Sequence, residues 1–226
     1  MLRDQALLEF TDNNFSKNDF LAFFYTWDER ALSLGKIQRN SKEVIVETHS
    51  KNIPVIKRPS GGKAVIHGED ICFTVIAKQN HPEFGGALIE SYSKIMHFLI
   101  KFLNEFFKSK YQWNTNIELK QKAKSCSEIN IVTNQTNCFS NSINCEGIIR
   151  SSEKEIKILG AAQSMYANSF LQQGSLIVNN KSNILEENKL SFEEGLESLV
   201  DIYNKGQNID LEKLCQKLNQ ELQVKI

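Results

Sequence analysis

Three segments of this 226-residue chain hold residue types that can do chemistry. The first is K-R-P-S-G-G-K-A-V-I-H, from Lys57 to His67. Adjacent Gly61 and Gly62 let the backbone turn tightly and approach a bound group with no side chain between them. Successive N–H groups from Ser60 onward can then cradle an oxyanion, a phosphate or a carbonyl oxygen, and Arg58 and Lys63 add positive charge on either side. The same letters also fit a tight β turn carrying surface cations. His67, closing a strand, suits a buried hydrogen-bonded imidazole as well as a proton shuttle. The spacing is neither the phosphate loop G-x-x-x-x-G-K-S/T nor the dinucleotide fingerprint.

The second segment is T-N-C-F-S-N-S, around Cys138. A cysteine in a polar, Asn- and Ser-rich stretch suits an exposed loop, where a nearby cation favours the nucleophilic thiolate. Cys145 competes as the reactive thiol or as a resolving partner. Cys72, in an apolar strand, reads as a buried filler, and Cys126 and Cys215 have no supporting context. The third segment is E-I-K-I-L-G-A-A-Q, from Glu155 to Gln163. In an extended strand Lys157 faces opposite to Ile156 and Ile158, so it is either solvated or points into a cleft. In a cleft its ammonium would stabilise a carbonyl oxygen becoming negative, or the phosphate of an acyl adenylate. Gly160, Ala161 and Ala162 leave room beside it for a chain-like ligand.

These segments need a frame to bring them together. Leu2, Ala6, Leu7 and Phe10 fall near one face of a short helix that begins almost at the first residue. Phe20 to Trp27 and Ala31 to Leu34 are β-like, with Asp28 and Glu29 as a turn. Ile53 to Lys57, Lys63 to His67 and Ile71 to Ala77 read as short strands around glycine-bearing turns, which suggests an antiparallel or mixed sheet. From Ala87 to Phe107 apolar residues recur at threes and fours, the strongest helical signal in the chain. Ser109 to Ser127 reads as a polar loop. Further strands are expected at Glu128 to Thr133, Glu146 to Arg150, Glu155 to Leu159 and Gly174 to Val178. Helices follow at Phe192 to Tyr203 and, behind an N-cap at Asp210, at Leu211 to Leu222. This order describes an α+β fold with helices packed on sheets, not βαβ repetition.

Composition narrows the function classes. Lys plus Arg and Asp plus Glu both number 27, so no global field exists to hold a polyanion, and nucleic acid is not the expected partner. No apolar run approaches the length of a transmembrane helix, and the N-terminus lacks a signal-peptide core. The expectation is a cytoplasmic monomer with no membrane partner. The five cysteines are odd in number and irregular in spacing, unlike a disulfide scaffold or a zinc site of paired cysteines, so no metal site is expected.

Taken together, the segments resemble the lipoate–protein ligase and octanoyltransferase family, which shares its catalytic fold with biotin protein ligases. The resemblance runs from M-L-R-D-Q-A-L-L to about Phe192. The family's R-x-S/T-G-G-x-x-V-x-H segment is similar to Lys57–His67, with Lys57 in place of the first of its usual arginines. Phe24 to Gln38 looks like its aromatic strand and S-x-G-x-x-Q element. Lys157, Gly160 and Gln163 match its lysine, glycine and small-small-Gln pattern. Cys138–Phe139 resembles the C-F of the cysteine-dependent octanoyltransferases, and Gln173 stands where the family's H-G-S segment carries histidine.

The resemblance implies a biotin/lipoate protein ligase catalytic-type fold of mixed and antiparallel sheets, in one domain over 1–226. The family's first strand would precede Met1, and no accessory domain is expected. It implies an acyltransferase in which Cys138 takes an octanoyl or lipoyl group as a thioester. Lys157 would stabilise the oxyanion, and a lysine of a lipoyl-domain or glycine-cleavage-H-type protein would accept the acyl group. The donor would be an acyl carrier protein or an acylated lipoyl-domain protein, with no cofactor. Arg58, Ser60, Gly61, Gly62, Lys63, His67 and Gln173 would bind substrate, and Val65, Phe73, Gly160, Ala161 and Ala162 would wall the acyl chain. Two alternatives stay open: an ATP- and Mg-dependent ligase working through lipoyl-adenylate, and a catalytically degenerate acyl-binding relative.

Overall fold

Two sheets and three helices account for the described residues of the computed structural model, which are 2–36, 52–62, 64–113, 116–120, 146–150, 155–179 and 209–225. In chain order these elements are α1 (Leu2–Asn14), β1 (Phe20–Tyr25), β2 (Ala31–Leu34), β3 (Val55–Lys57), β4 (Val65–His67) and β5 (Asp70–Lys78). They continue with α2 (Leu88–Tyr111), β6 (Glu118–Lys120), β7 (Glu146–Arg150), β8 (Glu155–Tyr166), β9 (Ser169–Ile177) and α3 (Leu211–Lys225). A six-stranded antiparallel sheet has the order β1-β5-β9-β8-β7-β6. A three-stranded mixed sheet has the order β3-β2-β4, with β2 parallel to β3 and antiparallel to β4. The α+β expectation holds. No helix among the described residues is long and apolar enough to cross a membrane.

Strand β5 shows how the large sheet divides its two faces. Ile71, Phe73, Val75 and Ala77 enter the main core beneath α2 and α3, while Ile76 meets Leu8 of α1 on the opposite face. Both faces being covered explains why the strand is almost continuously apolar. Helix α2 supplies Ile95, Leu99, Phe102, Leu103 and Phe106 to that core, each fully buried large side chain contributing roughly 1.5–3 kcal/mol. It outruns its expected end by four residues, to Tyr111, where Gln112 at φ 55° closes it and donates its N–H to the Lys108 carbonyl. The stretch expected as a polar loop therefore begins as helix and contains β6.

Helix α3 buries Leu214, Leu218 and Leu222 and does a second task. The Asn219 side chain accepts the Phe24 N–H at 2.8 Å and donates to the Phe24 carbonyl at 2.9 Å, pairing the open edge of β1. Asp210 caps this helix as expected, accepting the Lys213 N–H at 3.1 Å.

Three sequence expectations are corrected. Helix α1 does not bury the Ala6–Leu7–Phe10 side: Phe10 is exposed, and the buried positions are Asp4, Leu8 and Thr11. The polar residues on this face were not legible as a core-facing stripe. Strand β8 does not end at Leu159 but runs to Tyr166, since pairing with β9 from Leu159 to Tyr166 overrides the weak strand preference of G-A-A-Q-S. Strand β9 begins at Ser169, five residues before its expected start. The elements expected over 128–133 and 192–203 lie outside the described residues.

Candidate functional site

The site forms where the small sheet lies against the α1-side face of the large one. Gly35, directly after β2, is what allows the K-R-P-S-G-G segment to close on it. The Lys36 N–H donates to the Ser60 carbonyl at 2.9 Å and the Arg58 N–H to the Leu34 carbonyl at 2.8 Å. Gly62 sits at φ 88°, a conformation that favours glycine. The buried Arg58 guanidinium then ties the loop to β2. Nη1 donates to the Ser33 carbonyl at 2.9 Å and to Ser33 Oγ at 2.7 Å, and Nη2 donates to the Gly61 carbonyl at 2.9 Å. The expected turn and the expected cation are thus one unit.

A β-bulge sets the opposite wall. Between Gly147 and Ile148 of β7 the register of β8 advances two residues, from Leu159 to Lys157. Ile158 is the extra residue, and it and Leu159 both enter the core beneath α2. The shift in phase puts Lys157, Gly160 and Ala162 on the other face together. Gly160 and Ala162, with Gly174 and Ser175 of β9, line a narrow and largely apolar slot, facing Ser33, Val65 and His67 of the small sheet. Tyr25 and Cys72 line it as well. Burial, reinforced by the neighbouring Cys72 and Asp4, holds the Tyr25 hydroxyl far above the ordinary phenol range, so it is neutral.

The polar side chains around the slot are held by one another. Asp70 accepts from His67 Nδ1 at 2.8 Å, from the Gly68 N–H at 3.0 Å and from the Ser175 hydroxyl. His67 Nε2 lies 2.7 Å from Ser33 Oγ, and Trp27 stacks on the imidazole at 4.6 Å between ring centres. On the far side, Gln173 accepts the Ser60 hydroxyl at 3.0 Å and donates to Asp4 of α1 at 2.7 Å. Asp4 is the reason α1 turns a polar face inward.

Of the residues singled out from the sequence, Arg58, Val65, His67, Gly160, Ala161, Ala162 and Gln173 line this one slot. Ser60 and Gly61 hold its rim through Gln173 and Arg58. Phe73 faces the opposite way, into the core beneath α2, where its ring occupies the space over Gly174. Lys157 is buried and ion-paired with Glu146 of β7. Cys138, Lys63, Cys126 and Cys145 lie outside the described residues. Sequence reasoning missed Ser33, Asp70, Glu146 and Asp4, and it took Cys72 for a filler. Cys72 is instead surrounded by polar groups: Trp27 Nε1 donates to its sulfur at 3.2 Å, and His67 Nδ1 and Asp70 Oδ2 lie at 3.4 and 3.5 Å. The signal was the run H-G-E-D-I-C, which places three donor side chains within six residues at the end of one hairpin.

Residues 1–223 match the profile of the lipoyl protein ligase A/B catalytic domain. The octanoyltransferase LipM of Staphylococcus aureus (strain NCTC 8325 / PS 47) is 28% identical over 179 residues, covering 78% of this chain and 60% of that protein. The chain is therefore matched to about 60% of the length of such curated relatives. A chain from the archaeal lipoylation system of Thermoplasma acidophilum, a bi-partite lipoate protein ligase and its E2 lipoyl domain, superposes with a TM-score of 0.59 at 15% identity, over 98% of this chain and 75% of that one. A lipoate-protein ligase A bound with ATP gives 0.63 at 17% identity, over 98% and 77%. At such identities these two structures speak for the fold alone.

Proposed function

The chain belongs to the lipoyl protein ligase A/B catalytic-domain family, and on that premise we propose that it transfers an octanoyl or lipoyl group through a thioester on Cys138. The observation that carries the reading is the slot: largely apolar, walled by Gly160, Ala162 and Gly174, with its polar side chains bonded to one another. Such a space suits a hydrocarbon chain. At about 0.8 kcal/mol per buried methylene, an eight-carbon chain would contribute roughly 5 kcal/mol before ordering costs, enough to select against short acyl groups.

In the proposed reaction the Cys138 thiolate attacks the carbonyl of an acyl thioester on a carrier protein. The Lys157 ammonium, ion-paired with Glu146, and the N–H groups of the Ser60–Gly62 loop stabilise the tetrahedral oxyanion. The carbon–sulfur bond to the carrier breaks, the carrier thiol leaves with a proton, and the acyl group stays on Cys138. The ε-amine of a lysine on a lipoyl-domain or H-type protein then attacks, and Cys138 leaves as the thiol. Amide formation from a thioester is downhill, so no ATP enters this route.

Incubation with octanoyl carrier protein and a lipoyl domain, without ATP, tests this reading by mass shift of the lipoyl domain. Transfer supports it. A second reading, ATP- and Mg-dependent ligation through an acyl adenylate, draws on the likeness in fold to ligases. Modification that needs ATP and free octanoate or lipoate, and persists in Cys138→Ser, selects it instead.

A further inference from the structure

Beside the acyl slot, three different donor atoms converge without any part in the reaction proposed above. We propose that His67, Asp70 and Cys72 form a binding site for a thiophilic divalent cation, with Zn2+ as the ion to test. His67 Nδ1, Asp70 Oδ2 and Cys72 Sγ all lie within 4.8 Å of one another, and all three residues are buried. Sulfur to nitrogen is 3.4 Å and sulfur to oxygen 3.5 Å. A tetrahedral zinc ion at its usual bond lengths holds such donors roughly 3.4–3.6 Å apart, so the sulfur is already placed. Only the His67–Asp70 separation, 2.8 Å, must open, by roughly 0.6 Å.

The surroundings do for each donor what outer partners do in metal sites. The Trp27 indole N–H donates to the sulfur at 3.2 Å, which supports an electron-rich thiolate. The Gly68 N–H and the Ser175 hydroxyl fix the two oxygens of Asp70. Ser33 Oγ, 2.7 Å from His67 Nε2, sets the imidazole's rotation, and Trp27 stacked on the ring holds its plane. Cys72 and His67 both line the slot, so the fourth coordination position opens on it.

The protons balance with one released. Binding releases the Cys72 thiol proton to solvent. The imidazole proton shifts from Nδ1 to Nε2 and donates to Ser33 Oγ, whose own hydrogen turns to the Val65 carbonyl at 3.4 Å. One thiolate and one carboxylate then neutralise a divalent ion. The set of one sulfur, one nitrogen and one oxygen favours zinc or cobalt over magnesium or calcium.

The test is titration of the full chain, stripped with a chelator, with CoCl2 and ZnCl2. The expected result is one ion per chain, a thiolate-to-cobalt charge-transfer band, and a raised Tm with Zn2+. Cys72→Ser and Asp70→Asn should each weaken binding at least about tenfold, and Ser33→Ala by about tenfold through the imidazole it orients. Absence of binding to the wild-type chain overturns the proposal, as does a band that survives in folded Cys72→Ser. If Cys72→Ser does not fold, the quadruple variant Cys126→Ser, Cys138→Ser, Cys145→Ser and Cys215→Ala, which keeps Cys72 as its one thiol, decides: its one ion and its band must both remain, and their loss overturns the site. Acyl transfer is read separately, so either conclusion can fail without the other.

Discussion

Gly35 and Gly62 meet backbone to backbone: a Cβ on Gly35 would sit 1.9 Å from the Gly62 carbonyl oxygen. The contact seats the glycine-rich segment on the end of β2 and so fixes the height of the loop over that strand. Its neighbour Ser33 and the guanidinium of Arg58 lock the same junction.

Gly35→Ala should therefore displace the loop before it unfolds the protein. Overpacking of this kind costs about 1–3 kcal/mol, so a Tm loss of several degrees is expected. Acyl transfer should fall by more than about tenfold, equivalent to ~1.4 kcal/mol in the barrier. A variant with wild-type turnover would show that loop height is immaterial.

Gly174 is a second enforced glycine, for a different reason. A Cβ there would meet the Phe73 ring at 2.2 Å and the Gly160 carbonyl oxygen at 2.5 Å. Gly174→Ala should destabilise the fold by about 1–3 kcal/mol in denaturant titration. Adding Phe73→Leu should recover only part of this, because the backbone oxygen of Gly160 cannot withdraw.

The Asp4–Gln173–Ser60 chain ties α1 to the loop through one amide. Gln173→Ala removes a hydrogen bond to a buried carboxylate and should cost about 2 kcal/mol. Gln173→His should be tolerated better, since a neutral imidazole also offers one donor and one acceptor. Comparing the two variants by thermal unfolding and by transfer rate separates bridging from mere space filling.

Asp210 gives the fold a checkable response to acid. Its carboxyl is held below the ordinary 3.8 chiefly by the Lys213 backbone N–H it caps. Because the folded value is the lower one, this stabilisation is fully present above about 3.8 and fades as pH falls through the folded value. The Tm difference between the wild type and Asp210→Ala should be clear at neutral pH and shrink below that range.

What the sequence made legible follows from what its signals measure. Helices α2 and α3 declared themselves because their apolar spacing repeats over many turns and each buries a single stripe. The loop and Gly160–Ala162 were legible because glycine and alanine mark close approach. Helix α1 misled because its inward face carries Asp4 and Thr11, whose value lies in distant partners such as Gln173. The same limit hid Ser33, Asp70 and Glu146: each is an ordinary residue until strand pairing brings its partner within reach. Phe73 was assigned to the slot because periodicity gives two faces without saying which faces the ligand. Cys72 was read from its apolar neighbours along the strand, while its true neighbours stand across the sheets.

Transfer through a Cys138 thioester is tested most directly by the intact mass of the wild-type chain and of Cys138→Ser after incubation with octanoyl carrier protein. The wild type should carry one octanoyl group, removable by hydroxylamine as a thioester, and the variant none. An adduct of equal yield on Cys138→Ser would contradict it, as would a wild-type chain that never acquires the group yet still modifies the lipoyl domain.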